Sequence, residues 1–330
     1  MKTLQKQILL VALVTTLSMI VGGCERHSKS EQYFLIATHI GLPYWQSAHA
    51  GFTRAAAEYG VTEEIRGPEA FTPTIEVDEF RAAVARKPAG ILVSVADPAL
   101  MGPEINKAIA AGIPVITMDS DAPDSQRLFF IGTNNLEAGR LGGQRVAAEL
   151  NGKGNVVFFT MPSQPNLVER LKGYQDVFAS HPGIKVVEVF DMKGESGTAM
   201  DKAREYLART GASKIDAFIC LESSSGKDVG EAFKRAKPQN TILMAMDVDQ
   251  ATLELVKDGT VQATISQKPF TMALLGLKFL DDLHHYPLKP LTRDWGSDAS
   301  SPVPAFIDTG VSLVDKSNVD KFLSPPTTAP

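Results

Sequence analysis

The sequence predicts an α/β protein with two doubly wound parallel sheets, and three features of its 330 residues support this. Short apolar runs recur along the chain, and most are continuous rather than alternating, as expected for strands covered on both faces. Segments with apolar residues at helical spacing separate these runs, which is typical of parallel sheets with right-handed crossovers. The alternation occurs in two rounds, to about residue 131 and from about residue 134, and each is long enough for one domain.

Candidate elements follow this alternation along the chain. The first round offers strands at 33–37, 90–94 and 114–118, with helices at 45–59 and 100–111. The second round offers strands at 156–160, 185–190, 217–220, 242–246 and 263–266. Further helices are expected at 134–150, 167–180, 198–210, 227–236 and 272–283. The residues after 267 are too few for a third domain, so we expect them to pack onto the first two, with a frayed tail at 322–330.

The first 24 residues predict a signal peptide rather than part of the fold. Lys2 and Lys6 precede an apolar run at 8–21, which is short for a membrane-spanning helix and is followed by small residues, as at a cleavage site. Cys24 is placed like the cysteine of a bacterial lipobox, so cleavage would leave it as a lipidated N terminus. Simple secretion and an uncleaved anchor are the alternatives. The polar stretch 25–32 is expected to be a flexible tether.

Composition and charge exclude some classes of protein. The hydrophobic fraction of 44% is that of an ordinary globular chain, and a net charge of −5 offers no basic surface for nucleic acid. The second cysteine, Cys220, ends an apolar run and is expected to be a small buried residue. If Cys24 carries lipid, no disulfide can form within the chain.

Polar residues follow most of the candidate strands, where open parallel sheets bind their ligands. A single polar residue in a loop means little, but a series from two domains indicates a cleft lined with hydrogen-bonding groups. In the first round the residues just after the strands are Thr38 and His39, then Ala96 and Asp97, then Asp119, Ser120 and Asp121. In the second round they are residues 161–164, Glu222, Ser223, Asp247 and Gln267.

Two adjacent aromatic residues, Tyr44 and Trp45, follow the first candidate strand. Neighbours in sequence point about 100° apart on a helix, so one core face cannot easily hold both. Pro43 beside them fits the first turn of a helix. We therefore expect the pair at the mouth of the cleft as a platform for ligand, with partly buried packing at a helix start as the alternative.

Six segments carry a family resemblance. They are “LPYWQSAHAGFTRAAAEYG”, “AGIPVITMDSDAP”, “FIGTNNLEAGRLGGQ”, “ERLKGYQDVF”, “MAMDVDQATLELVKDG” and “TISQKPFTMALLGLKFL”. In this order, within residues 33–283, they resemble the periplasmic sugar-binding proteins of the ribose-binding type. The resemblance implies two Rossmann-like lobes joined by a three-strand hinge, with the ligand between them and delivery to an ABC importer. The expected lobes are 33–131 with 268–305, and 132–267 with 306–321.

The resemblance also implies which residues touch the ligand. The matched residues are Tyr44, Trp45, Asp119, Arg170, Asp247 and Gln267. The aromatic pair would flank the sugar ring, because an aromatic face covers the apolar C–H face of a sugar. The carboxylates would accept hydrogen bonds from vicinal hydroxyls, and the guanidinium would donate to ring and hydroxyl oxygens. Gln267 matches a hinge residue that also touches ligand.

Departures from the family pattern leave the ligand open. “LESSSG” places Glu222 where the family usually has Asn-Asp, and Ser120 stands where sugar binders often have arginine. Leu42 replaces a polar residue of the ribose type. We expect a monosaccharide or polyol, although the excess of carboxylates over Arg170 also allows an amino-bearing ligand. Further candidate contacts are Glu222 and, as possible ones, His39, Asp97 and Ser223.

Motifs of catalysis and of metal binding are missing from the sequence. “SSSGK” resembles a phosphate loop only at its end, because Leu221 stands where the first glycine is needed. No G-x-S-x-G, no H-E-x-x-H and no G-x-G-x-x-G after a strand occurs. His284 and His285 face apart on a helix, and no third ligand is near them in sequence. We therefore expect no enzyme activity, no catalytic residue, no cofactor and no metal.

The leading hypothesis is a lipid-anchored, monomeric solute-binding protein in the periplasm or at the cell surface. It would close over a carbohydrate-like molecule and present it to the membrane subunits of an importer. A ligand sensor for a histidine kinase or chemoreceptor is an alternative that the sequence does not separate. A repressor of the lactose type would need a helix-turn-helix where the signal peptide stands. A cleft enzyme could use Asp119, Glu222 and Asp247 as acid and base.

Overall fold

Two β-sheets, each covered by helices, form two lobes in the computed structural model, which describes residues 27–323. The expected signal peptide, the expected lipidation site Cys24 and residues 324–330 of the expected tail lie outside the described residues. None of the helices between residues 27 and 323 is long and apolar enough to cross a membrane.

Along the chain, strands and helices alternate as expected. The elements up to the first crossing between the lobes are β1 (Gln32–Ile36), α1 (Pro43–Tyr59), β2 (Thr62–Arg66), α2 (Pro73–Ala85), β3 (Gly90–Val93), α3 (Pro98–Ala110), β4 (Val115–Met118) and β5 (Phe130–Gly132). The elements of the second round are α4 (Asn135–Glu149), β6 (Lys153–Thr160), α5 (Pro165–Phe178), β7 (Gly183–Asp191), α6 (Ser196–Leu207), β8 (Ala217–Cys220), α7 (Ser225–Ala236), β9 (Ile242–Met246), α8 (Gln250–Asp258) and β10 (Ala263–Ser266). The remaining elements are α9 (Pro269–His285), β11 (Phe306–Asp308), β12 (Ser312–Asp315) and α10 (Asp320–Leu323).

The two sheets have the same strand order. The first is β11-β5-β4-β3-β1-β2 and the second is β12-β10-β9-β8-β6-β7. The paired strands are parallel, except that β12 runs antiparallel to β10. The central strands are buried along their whole length, which explains their continuous apolar sequences. The predicted fold class is confirmed, and Cys220 is a buried free thiol.

Apart from the one-turn helix α10, four strands and two α-helices were not predicted, and most of them lack the apolar pattern. β2 has the sequence TEEIR, because it is an edge strand without a fully buried residue. β5, β11 and β12 are only three or four residues long. In α2 the buried face includes Glu76, whose carboxylate accepts a hydrogen bond from the Ala96 N–H at 3.1 Å, so the helical stripe is interrupted by a charged residue type. α8, the sixth, starts at an Asp249 N-cap.

Three segments cross between the lobes: 133–134, 267–268 and 309–311. They contact each other directly. The Thr309 N–H donates to the Gly132 carbonyl at 2.8 Å, and the Thr133 hydroxyl donates to Gln267 Oε1 at 2.8 Å. The lobes are therefore joined by three crossings, as expected, although the crossing residues themselves are not in regular strands, and their polar groups lie beside the cleft.

The structure corrects three expected boundaries. Residues 306–308 pair with β5 in the first sheet, so the last crossing follows Asp308 rather than preceding residue 306. The described part of the expected tether is not free, because the His27 ring stacks on Tyr59 with centroids 4.8 Å apart. At the other end, Phe322 and Leu323 pack against the second core instead of fraying. In each case a contact distant in sequence holds a segment that looks like a linker.

Helices α4 and α5 pack closely because glycines face each other where they cross. A Cβ on Gly139 would lie 2.0 Å from the Arg170 carbonyl, and one on Gly173 would lie 2.2 Å from the Leu136 carbonyl. Both contacts are with backbone, which cannot move without moving a helix. The close approach therefore fixes the distance of α5 from α4, and with it the position of Arg170.

Replacing Gly173 by alanine is expected to destabilise the protein by about 1–3 kcal/mol and to weaken ligand binding, because α5 must move away from α4. Denaturant unfolding and a ligand titration measure the two effects. Within the described part of the chain, no atom lies within 4 Å of a Cβ added to Gly197 in α6, so Gly197→Ala is the matched control and should be neutral or slightly stabilising. Equal effects of the two substitutions would contradict this account.

Candidate functional site

A cavity lies between the lobes, at the carboxyl ends of both sets of parallel strands. Its empty space is about 570 Å³ when the open mouth is included. The sequence-predicted residues that line it are Tyr44, Trp45, Asp119, Arg170, Glu222, Asp247, Gln267, His39 and Ser223. Asp97 does not line it; its carboxylate instead accepts from the Ala99 N–H at 2.9 Å and caps α3.

Asp119 and Asp247 occupy corresponding places in the two lobes. Each directly follows a strand that is third from the edge of its sheet, β4 counted from β11 in one lobe and β9 counted from β12 in the other. Both are buried, and both have a left-handed backbone, with φ of 62° and 68°. Aspartate adopts this conformation more readily than most residues. Matched strain at two buried carboxyl groups is typical of a binding site.

Arg170 supplies the positive charge opposite these carboxyl groups. It is 2% exposed on α5, and its guanidinium donates to the Leu221 carbonyl and to Asn135 Oδ1, the latter at 2.6 Å. Its Nε is buried and makes no hydrogen bond within the described part of the chain. Leaving a buried charged donor without an acceptor is costly, so this nitrogen marks a place where a ligand oxygen would be stabilised.

Burial controls the protonation of the two aspartates. It raises the pKa of Asp119, against the hydrogen bond from Tyr44 and the attraction of Arg170. It also raises the pKa of Asp247 from 3.8 to about 7, against Arg170 and a hydrogen bond from Gln267. Both carboxylates therefore need donors or positive charge in addition to those that the protein supplies, and ligand hydroxyls could provide donors.

The raised pKa of Asp247 predicts how stability depends on pH. Because the folded protein holds this proton more tightly than the unfolded chain, the contribution is complete below pH 3.8 and is lost as pH rises to about 7. We expect the free energy of unfolding to fall across this range by up to about 1.4 kcal/mol per pH unit from this group. Ligand affinity should change in the opposite direction, because donated hydroxyls favour the carboxylate.

Urea unfolding of the ligand-free protein across this pH range measures the effect. Asp247→Asn should flatten the stability profile, whereas Asp201→Asn, at an exposed position of α6, should leave it unchanged. Parallel profiles for wild type and Asp247→Asn would show that Asp247 does not titrate there.

The two aromatic residues form a corner rather than a flat platform. The rings of Tyr44 and Trp45 meet edge to face, with centroids 5.3 Å apart. The Tyr44 hydroxyl donates to Asp119 Oδ1 at 2.7 Å. Trp45 is 2% exposed and belongs to the core of the first lobe, yet it also lines the cavity. Trp45 therefore packs in the core, as the alternative interpretation expected, and it also borders the cavity.

The remaining predicted residues differ in how strongly the protein already uses them. The Glu222 carboxylate accepts from the Ser224 and Ser225 N–H groups at 2.6 and 2.7 Å, which caps α7. Gln267 donates to Asp247 Oδ1 at 2.9 Å and joins the hinge to the site. His39 is half-buried at the cavity wall, and burial lowers its pKa, which favours the neutral imidazole.

Several lining residues were not predicted. They are chiefly Phe71, Asn166 and Met192. Asn166 is buried, and its Nδ2 lies 3.5 Å from Asp119 Oδ2 across the cleft. Its spacing of four residues from Arg170, on one helical face, was the available signal. Phe71 reaches from the first lobe to the second core, where a Cβ on Gly194 would lie 2.8 Å from it, and no sequence pattern marked this contact.

The comparison with known families agrees with this architecture. Residues 33–284, which run from β1 into α9, match the periplasmic binding protein domain. The chain belongs to the periplasmic binding protein family. The cavity between the two lobes corresponds in position to the ligand cleft of this family.

Solved structures and sequences of relatives support the assignment. A sugar-binding protein of a sugar ABC transporter from Bacillus halodurans is 33% identical, with a TM-score of 0.75, over 88% of this chain and 99% of that one. An arabinose-binding protein from Geobacillus stearothermophilus is 32% identical, with a TM-score of 0.73, over 89% and 99% of the two chains. A xylose/arabinose-binding protein from Sulfolobus acidocaldarius is 23% identical over 85% of this chain and 70% of that protein. These relatives are binding proteins rather than enzymes, as expected.

Proposed function

We propose that this protein is an extracytoplasmic solute-binding protein that captures a pentose or a related polyol and delivers it to an ABC importer. The observation that carries the proposal is the interlobe cavity, in which Asp119 from one lobe faces Arg170 and Asp247 from the other. The relatives named for arabinose and xylose support a small aldose as the ligand.

The cavity offers complementary groups for a polyhydroxylated ring. Asp119 and Asp247 would accept hydrogen bonds from hydroxyl groups on opposite sides of the sugar. The unpartnered Nε of Arg170 would donate to a ring or hydroxyl oxygen. Trp45 and Tyr44 would cover an apolar C–H face. Every bond in the ligand stays intact, since recognition needs only these contacts.

Closure would follow from the division of these groups between the lobes. A ligand that bonds to Asp119 and Arg170 together can do so only when the lobes are near each other, so binding shifts the population toward the closed form. Phe71 would support the closed form, because it already contacts the second lobe beside Gly194. The closed surface is what an importer would recognise.

A thermal-shift screen tests this proposal. At 100 times its dissociation constant, a ligand adds about 2.7 kcal/mol of stability. We expect arabinose, xylose, ribose or xylitol to raise the melting temperature, and amino acids and nucleosides to leave it unchanged. Stabilisation by amino acids or nucleosides alone would overturn the sugar assignment. A sugar product released during incubation would show instead that the cleft is catalytic.

The anchor is a separate part of the proposal, and it rests on the sequence around Cys24. We expect cells expressing the protein to incorporate labelled fatty acid into it, and Cys24→Ser to abolish the label and leave a longer, unprocessed chain. Cys220→Ser is the control, because Cys220 is buried in the second core and should not affect labelling. An unlabelled, shortened wild-type chain would indicate simple secretion.

A further inference from the structure

Four potential metal ligands meet at the end of the first lobe that is opposite the cleft. They are His27, Glu31, Asp281 and His285, and one ligand atom of each lies within 4.8 Å of the others. His27 and Glu31 precede β1, whereas Asp281 and His285 lie in the last turns of α9. The sequence argued against a metal at His284 and His285 because no third ligand is near. The fold brings His27 and Glu31, from before β1, to Asp281 and His285, which lie one turn apart on α9.

Both nitrogens of the His285 ring lie near oxygen atoms of Asp281 or Glu31. Its Nδ1 lies 2.8 Å from the Asp281 carbonyl oxygen, which can only accept, so Nδ1 carries the proton. Histidine ligands commonly donate their second nitrogen to a carbonyl in this way. Nε2 lies 3.6 Å from Glu31 Oε2. A metal ion placed between the two atoms would contact both.

The positions of the Glu31 and Asp281 carboxylates also suit a metal ion. Glu31 Oε2 is buried and makes no hydrogen bond within the described residues, while Glu31 Oε1 accepts from the Ser28 N–H at 2.9 Å. Asp281 is 5% exposed, and its Oδ1 accepts from the Tyr33 hydroxyl at 3.2 Å. His27 Nδ1 lies 3.2 Å from the same oxygen. Buried carboxylates with this geometry favour a positive ion.

We propose that His27, Glu31, Asp281 and His285 bind a divalent transition-metal ion of the zinc type. Two imidazoles and two carboxylates are an acceptable zinc set, and ligands of a tetrahedral zinc lie about 3.3 Å apart. The separations of 3.2 Å for His27–Asp281 and 3.6 Å for Glu31–His285 are close to this, and the separations within the cluster reach at most 4.8 Å, so an ion would draw the ligand atoms together. The His27 ring is already fixed by stacking on Tyr59. The two carboxylates balance the charge of the ion, and the imidazoles select against Mg²⁺ and Ca²⁺.

The metal would fasten the start of the chain to the lobe. His27 and Glu31 lie just after the expected lipidation site, and Asp281 and His285 belong to a helix of the first core. An ion that binds both segments would fix where the polypeptide leaves the lobe, and so the orientation of the lobe relative to a membrane anchor. The cleft, at the other end of β1, would be unaffected.

Isothermal titration of the full chain, purified in detergent and stripped with EDTA, tests the site with ZnCl₂ as the probe. We expect one Zn²⁺ per chain, at least tenfold weaker binding in Glu31→Gln and in His27→Gln, and no saturable binding of Mg²⁺. His49→Gln is the matched control, because His49 also pairs with a glutamate on this lobe but lies outside the cluster. His49→Gln and Cys24→Ser should bind zinc as the wild type does.

Two outcomes would overturn the proposal: no stoichiometric zinc in the wild type, or equal affinity in Glu31→Gln, His27→Gln and the wild type. Misfolding is excluded by measuring the sugar-dependent thermal shift of each variant, which should be retained because the cleft is remote. Co²⁺ provides a second readout, since a tetrahedral site gives intense visible absorption and weak binding to surface groups does not.

Discussion

Replacing Arg170 by alanine is expected to weaken ligand binding by about 100- to 1,000-fold, the largest effect of any single change in the cleft. The substitution removes the donor Nε and leaves the buried Asp119 and Asp247 without their cation, and breaking a buried charge arrangement costs about 3–5 kcal/mol. It should also raise the pKa of Asp247 further, because Arg170 is the first influence that opposes burial there. Isothermal titration with the sugar identified by the screen measures the loss.

The controls separate charge from geometry. Arg170→Lys keeps the charge but not the planar set of donors, so it should bind more weakly than wild type and more tightly than Arg170→Ala. Arg140→Ala, on the neighbouring helix, removes an exposed arginine that pairs with Glu137 and Asp176 and should change affinity little. Wild-type affinity in Arg170→Ala would place the ligand elsewhere.

Replacing Trp45 by alanine is expected to destabilise the protein by about 3–5 kcal/mol and to abolish the ligand-induced change in tryptophan fluorescence. The stability loss follows from its 2% exposure in the core of the first lobe. The fluorescence loss follows because the chain has two tryptophans, and the other, Trp295, is held by a hydrogen bond to the Pro290 carbonyl, away from the cavity lining.

Milder substitutions distinguish the two roles of Trp45. Trp45→Phe keeps an aromatic ring in the core, so it should fold well while binding sugar less tightly. Trp295→Phe should preserve both binding and the fluorescence response. A fluorescence response that persists in Trp45→Phe and vanishes in Trp295→Phe would come from Trp295 rather than from Trp45. That result would contradict the proposed ligand platform.

Much of the cleft could be predicted because each lobe repeats one rule. A continuous apolar run in the sequence indicates a buried strand, and the residue after the strand lies at the edge of the sheet where ligands bind. Asp119 and Asp247 were found in this way, since the sequence shows strands ending just before them. Arg170 is on a helix rather than after a strand, and only the family resemblance marked it.

Other residues could not be predicted because their environment comes from distant segments. Glu222 lines the cavity as expected, but the sequence did not show that the Ser224 and Ser225 N–H groups, at the start of α7, already donate to its carboxylate. Asp97 looked equivalent and instead caps α3. Phe71 belongs to a loop without a pattern, and it reaches the cleft only because the lobes face each other.

The sequence by itself determined the two α/β lobes, most of their buried strands and the edge of each sheet at which a ligand would bind, because these depend on local periodicity and on the rules of parallel sheets. Only the tertiary structure decided which polar groups are already satisfied, how burial shifts the pKa of Asp247, and that His27 and Glu31 meet Asp281 and His285 across some 250 residues of chain. The physical reason is that desolvation and hydrogen bonding depend on all neighbours in space, and a sequence shows only the neighbours along the chain.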